Sequence, residues 1–332
     1  MKINRRTLLG IGASAGLVHA LPGRALGQTS PGQSWPTRFV RLVVPAAAGG
    51  ANEPIARNLS ARLSEMWGQQ VIVENKPGAA GNIAAEAFAR SEPDGHSIFL
   101  GSFPLAVNRL LYSSVNYDPV ADFAPVTLIG ITPNIMAVPN SSPARSVADF
   151  IAYAKTNRGR VTFASSGTGT SIHLSGEFFK RVAGIEMTHV PYRGGAPALA
   201  DLHAGRVDLM FNVITTVLPQ IKAGNVRGLA VTTAKRVPTA AELPTLAESG
   251  LPGFDVSGWF AFFVAAKTPE GIIRKIHADT TAALAEPAIR GRLEDLGIIV
   301  VGSTPDELGA HVKSEMEKWG PVIREAGIRG GE

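Results

Sequence analysis

From Arg38 onward the hydrophobic pattern switches repeatedly between short apolar runs and stripes with helical spacing. Phe39-Val40-Arg41-Leu42-Val43-Val44 reads as a buried strand. Ile55, Leu59, Leu63 and Met66 then fall on one helical stripe. Val71–Val73 predicts a second strand, Ile83–Arg90 a helix and Ser97–Leu100 a third strand. Such alternation predicts parallel βαβ units with helices on both sheet faces. A long apolar stretch, Val126–Val138, interrupts it. A second series follows: helix Val147–Lys155, strand Val161–Ala164, helix Ile172–Val182, strand Met187–Val190, helix Pro197–Ala204 and strand Val207–Phe211. It closes with a helix from about Leu218 and strand Val226–Thr232. After a second apolar stretch, Trp259–Ala265, come a helix carrying Ile273, Ile276, Ala283 and Leu284 on one face, strand Ile298–Val301 and helix Pro305–Trp319. Two βα series joined by two long apolar stretches predict an α/β protein of two lobes and two crossovers. Lobe 1 takes residues 36–135 and 256–332 and lobe 2 residues 136–255. One large doubly wound sheet is the alternative.

The chain has 332 residues, 45% hydrophobic and 18% charged, enough for a large core. The formal charge of +5 suggests nucleic acid until the N-terminus is set aside. Residues 1–27 hold Lys2, Arg5, Arg6 and Arg24 and no acid, and removing those four charges leaves +1. No Lys/Arg stripe remains to grip phosphates, so no nucleic-acid partner is expected. The same 27 residues have a basic start, a soft apolar stretch from Leu8 to Leu21 and small residues at Ala25-Leu26-Gly27. That is the grammar of a cleaved signal peptide, too short to span a bilayer. Consecutive Arg5 and Arg6 before a weakly hydrophobic core point to the twin-arginine route, with a general secretory signal as the alternative. The mature chain is expected in the periplasm, soluble and monomeric. There is no cysteine, which excludes disulfides, thiolate nucleophiles and thiolate metal sites.

Several glycine-rich or polar loops follow predicted strands and open helices, where unpaired N–H groups and the helix dipole suit an anion. In the first series, Ala48-Gly49-Gly50-Ala51 precedes Asn52, a plausible N-cap, and Pro54. In the second, Ser165-Ser166-Gly167-Thr168-Gly169-Thr170-Ser171 sets hydroxyls around two glycines just before His173. The loops Gly101-Ser102-Phe103-Pro104 and Phe211-Asn212-Val213-Ile214-Thr215-Thr216 share that placement, whereas Asn75–Asn82 reads as a structural turn. Arg193, in Pro191-Tyr192-Arg193-Gly194, could pair bidentately with a carboxylate or be a solvated loop charge. The candidate binding set is Ala48, Gly49, Gly50, Ala51, Ser102, Phe103, Ser166, Thr168, Thr170, Ser171, His173, Arg193 and Asn212. His173 could equally brace its loop, and Trp67, Trp259 and Trp319 read as packing residues.

Catalytic signatures are missing. There is no phosphate-binding G-x-x-x-x-G-K-[ST] run, Ile172 stands where a dinucleotide fingerprint needs its third glycine, and no G-x-S-x-G elbow occurs. Ser166 or Ser171 with His173 lacks an orienting acid. His19, His96, His173, His189, His203, His277 and His311 show no metal-ligand spacing, so neither metal nor cofactor is expected.

The chain resembles the Bug-type substrate-binding proteins of tripartite tricarboxylate transporters. The resemblance runs over about residues 36–327. It is carried by Arg41–Pro45 with Gly49-Gly50-Ala51, Val73–Gly78 with Gly81-Asn82-Ile83, Asp122–Val126, Ser165–Gly176, Val190–Gly194, Leu243-Pro244-Thr245 and Gly250–Gly253. It implies a type 2 periplasmic-binding-protein fold, two doubly wound lobes joined by two crossover strands and closing on a small carboxylate. It also implies that Gly49, Gly50 and Ala51 of one lobe and Ser166, Thr168, Thr170 and Ser171 of the other hold the ligand, and that membrane permease subunits are the partner. A ligand-presenting sensory protein and an extracytoplasmic hydrolase are the rival functions. The chain departs from the family at Ala46–Ala48, at Asn52-Glu53, at Asn212 where an Asp is frequent, and at Phe103 in a loop that is often small and polar. Losing an acid at Asn212 would favour a more anionic or less amine-bearing ligand, and Phe103 could face an aromatic or aliphatic body.

Overall fold

The computed structural model describes residues 35–48, 52–192 and 194–330. The first apolar run forms β1 (Val40–Val44), whose Val40, Leu42 and Val44 are wholly buried, while Phe39 stays outside and exposed. α1 (Asn52–Trp67) buries Ile55, Leu59 and Leu63, and Trp67 rather than Met66 completes the stripe. Trp67 prevails because its ring packs edge-on against Trp35 and its Nε1 donates to Asp279 at 2.6 Å. β2 (Val71–Asn75) and β3 (Ser97–Ser102) flank β1 in parallel, with α2 (Asn82–Ala89) between them in sequence.

Two helices here escaped the hydrophobic pattern. β3 runs through Gly101 to Ser102, and α3 (Phe103–Leu111) begins at the next residue instead of a loop. Pro104 imitates a turn signal but sits in the first helical turn, where a missing N–H costs nothing. α9 (Pro287–Asp295), introduced by Pro287 in the same way, splits the C-terminal helical region.

The apolar stretch after α3 is one strand, β4 (Phe123–Pro139). Up to Pro133 it pairs antiparallel with β9 (Ser257–Ala265); from Asn134 it pairs antiparallel with β7 (Leu209–Val213) and β8 (Val226–Val231). It therefore leaves one sheet and enters another between Pro133 and Asn134. The second series comprises α4 (Val147–Thr156), β5 (Thr162–Ser165), α5 (Ser171–Ala183), β6 (Thr188–Pro191), α6 (Gly195–His203), β7, α7 (Ile214–Lys222) and β8. α7 starts directly off β7, four residues before the expected Leu218, because the Asn212 side chain accepts from the Val213 N–H at 2.8 Å and turns the chain there. β5 pairs in parallel with β6 and β7. The chain then returns through β9 to α8 (Glu270–Ala285), α9, β10 (Ile299–Val300) and α10 (Pro305–Glu325). A capping box of Thr304 and Glu307 starts α10, which runs six residues past Trp319.

The strand order is β2-β1-β3-β9-β4-β7-β5-β6, with β8 and β10 also pairing β4. Outer strands are parallel and those around the crossovers antiparallel. The two doubly wound halves share an apolar core through α10: Trp319 is fully buried and packs edge-on to Phe103 of α3 at 5.6 Å and to Phe178 of α5 at 5.9 Å. The connection between the halves is clamped by Thr232. Its Oγ1 accepts from the Asn134 N–H at 3.1 Å and donates to the Val256 carbonyl at 2.5 Å.

Candidate functional site

At the carboxyl ends of the strands lies a cavity of about 520 Å³, within the usual range for small-molecule sites. Four helices begin at it, two from each series. Asn52 and Pro54 come from the start of α1, Ser102, Phe103 and Pro104 from that of α3, Thr170, Ser171 and Ile172 from that of α5, and Val213, Thr215 and Thr216 from that of α7. Each presents the positive end of a helix dipole. Ser102 and Val213, the N-caps of α3 and α7, form no side-chain cap bond, so first-turn N–H groups remain free for an incoming acceptor. Thr132, Gly258, Trp259 and Phe260 line the cavity from the crossover strands, and Asp295, Leu296 and Ile298 from the end of α9 and the turn beyond. Among the described lining residues, Asp295 is the only ionisable side chain.

The turn before α5 is held from behind. Thr170 Oγ1 accepts from the His173 N–H at 3.2 Å, capping the helix, and donates to the Gly167 carbonyl at 2.8 Å. The Gly169 N–H donates to His173 Nδ1 at 3.2 Å. His189 Nε2 lies 2.7 Å from Ser165 Oγ, which accepts from the Gly167 N–H at 3.1 Å. Burial, the neighbouring His189 and Lys180 push the His173 pKa down to about 3. Burial and Lys180 push that of His189 down to about 4. Both rings are therefore neutral at ordinary pH, which leaves His173 Nδ1 able to accept.

The structure brings Ser102, Phe103, Ser166, Thr170 and Ser171 together around the cavity. Phe103 is only 3% exposed and presents little more than an edge, because its ring is committed to Trp319. His173 does not line the cavity; it is buried and braces the turn. Asn212 does not line it either: fully buried, it holds the β7–α7 junction. Thr168 and Ala48 are not among the lining residues. Gly49, Gly50, Ala51 and Arg193 lie outside the described residues. Sequence reasoning passed over Thr132, Trp259 and Asp295. Thr132 was signalled by the polar break it makes, with Pro133, in an apolar strand; Trp259 is the core residue expected and reaches the cavity as well. Asp295 carries no local signal. Among the described residues no cluster of three or more potential metal ligands occurs, and no helix is long and apolar enough to cross a membrane.

The model of the family described as the tripartite tricarboxylate transporter family receptor matches residues 55–328. A protein of the tcbD-tcbE intergenic region of Pseudomonas sp. (strain P51) is 39% identical over 320 residues, spanning 94% of this chain and 95% of that one. Protein BugT of Bordetella pertussis is 33% identical over 298 residues, spanning 89% of this chain and 91% of its own. Among solved structures, R. palustris Rpa4515 with adipate matches with a TM-score of 0.77 at 40% identity, covering 89% of this chain and 99% of that one. The fold is accordingly the type 2 periplasmic-binding-protein fold, two doubly wound lobes joined by two crossover strands, and it serves binding rather than catalysis. The chain belongs to the tripartite tricarboxylate transporter receptor family, as a Bug-type binding protein.

Proposed function

We propose that the protein captures a small carboxylate between its two lobes by hinge closure and delivers it to the membrane permease subunits of a tripartite tricarboxylate-type transporter. The observation that carries this is the meeting of four helix N-termini, two from each series, at one cavity whose described lining contains no Lys, Arg or His. Backbone N–H groups, hydroxyls and helix dipoles can hold a carboxylate without a cationic partner. Lobe 1 comprises residues 36–135 and 256–332 and lobe 2 residues 136–255, with Gly49, Gly50, Ala51 and Ser102 acting from one side and Ser166, Thr170 and Ser171 from the other. A carboxylate held first by one lobe gains the other lobe's donors only on closure, so it favours the closed state by its differential contacts.

The adipate in the R. palustris relative supports a carboxylate ligand. The basic and apolar grammar of residues 1–27 supports export to the periplasm by the twin-arginine route, with action there as a soluble monomer. Calorimetric titration of the mature chain with mono-, di- and tricarboxylates tests the proposal. It expects saturable one-site binding of at least one acid, with a raised Tm. Absence of heat and of thermal shift across such a panel would sink it.

A further inference from the structure

The turn after α9 lies against the first turn of α7. Gly297, at the bend, has φ +70°, and a Cβ there would come within 2.5 Å of Thr215 Cγ2 and 2.9 Å of Ile214 Cγ2. The bend is fixed by two backbone bonds, the Gly297 N–H to the Glu294 carbonyl at 2.8 Å and the Ile298 N–H to the Leu293 carbonyl at 3.0 Å. This is a Schellman-type helix end. It delivers Asp295 to the cavity wall, exposed and, among the described residues, with neither hydrogen bond nor ion pair. The same turn contributes Leu296 and Ile298, and Phe260 from β9 also lines the cavity.

The four helix N-termini are therefore not equivalent. Those of α3 and α5 bring the hydroxyls of Ser102, Thr170 and Ser171 to the cavity, and that of α3 carries no side-chain cap on its first-turn N–H groups. Those of α1 and α7 flank the negative end of α9, where Arg292 donates to Asn58 of α1 and Gly297 packs against Thr215 of α7, and a bare carboxylate stands at that end. Aliphatic and aromatic side chains border the same space. A first ligand carboxylate finds donors at α3 and α5. A second one, placed toward α7, would meet Asp295 in a space with no described cationic side chain to offset it.

We infer that the ligand carries a single carboxylate on an apolar body, and that Asp295 sets the preference against a second carboxylate. This rests on carboxylate capture in the cleft and specifies its chemical class. Acids matched in carbon skeleton test it: hexanoate against adipate and benzoate against terephthalate, titrated calorimetrically into the mature chain. The monoacid of each pair should bind tighter by about tenfold. Asp295→Asn, with its fold checked by circular dichroism melting, should shrink that ratio to about threefold or less. A diacid that binds the unaltered protein as tightly as its monoacid overturns the inference alone, as does an unchanged ratio in Asp295→Asn. Binding of none of these acids, nor of malate or citrate, overturns carboxylate capture itself and this inference with it.

Discussion

His173 and His189 stack with their ring centroids 3.8 Å apart, directly behind the turn that opens α5. Their proximity makes a charge on either ring costly, and the turn depends on their staying neutral. The Gly169 N–H has His173 Nδ1 as its acceptor only while that nitrogen is unprotonated.

A pH dependence follows. Both folded-state pKa values are depressed from 6.5, to about 3 for His173 and about 4 for His189. The unfolded chain therefore takes up protons that the folded chain refuses. The stabilisation is complete above the unfolded value and falls as pH drops from 6.5 toward the folded values. The loss approaches about 1 kcal/mol per pH unit for the more deeply buried His173 and is smaller for the half-buried His189, where solvent screens the charge. Urea unfolding should show His189→Gln with a shallower decline between pH 6.5 and pH 4 than the unaltered protein. Equal slopes would show that the pair does not titrate as described.

Thr170 serves α5 twice, as cap and as donor to the Gly167 carbonyl. Thr170→Ala should cost about 1 kcal/mol of stability and also weaken carboxylate binding, since the residue lines the cavity. Thr170→Ser should recover most of the stability. Chemical denaturation and titration on the two variants check this, and a Thr170→Ala protein as stable as the parent would refute the capping role.

Gly176 of α5 lies directly over the ring of Phe163 in β5. A methyl group there would press inside van der Waals contact with the ring of Phe163, which is wholly buried. Gly176→Ala should destabilise by about 1–3 kcal/mol through overpacking. Thermal melting reads it directly, and a neutral effect would mean that the Phe163 ring has room to move.

Thr232→Val removes the hydroxyl that ties Asn134 of β4 to Val256 where the two halves join. The buried Asn134 N–H loses its acceptor there, for a cost of about 1–3 kcal/mol. Small-angle scattering of the unliganded variant should show a larger radius of gyration than the parent, as the junction loosens. An unchanged radius would place the stiffness of the junction elsewhere.

Much of the architecture was legible in the order of residues. β1 and α1 were readable because a continuous apolar run and a three-four stripe are local signals that packing did not override. The turn before α5 was readable because hydroxyls and glycines at a helix start have few other uses. What stayed hidden depended on context. Gly101, Ser102 and Pro104 look like loop residues until β3 and α3 are known to abut, and only then does Pro104 become a first-turn residue. Asn212 looked like a ligand contact, and His173 equally like a contact or a brace, from their places in polar segments; each is turned inward to hold the backbone that faces the cavity. Asp295 reaches the cleft through the packing of Gly297 against Thr215, a contact between residues far apart in sequence that no nearby pattern could announce.

β4 belongs to both sheets, changing allegiance between Pro133 and Asn134. Each sheet uses only its own side of that changeover, so the two are joined there by one unbroken run of backbone and not by a shared ladder. A rotation of one half against the other must therefore be absorbed by backbone torsions at this changeover and where the chain comes back into β9.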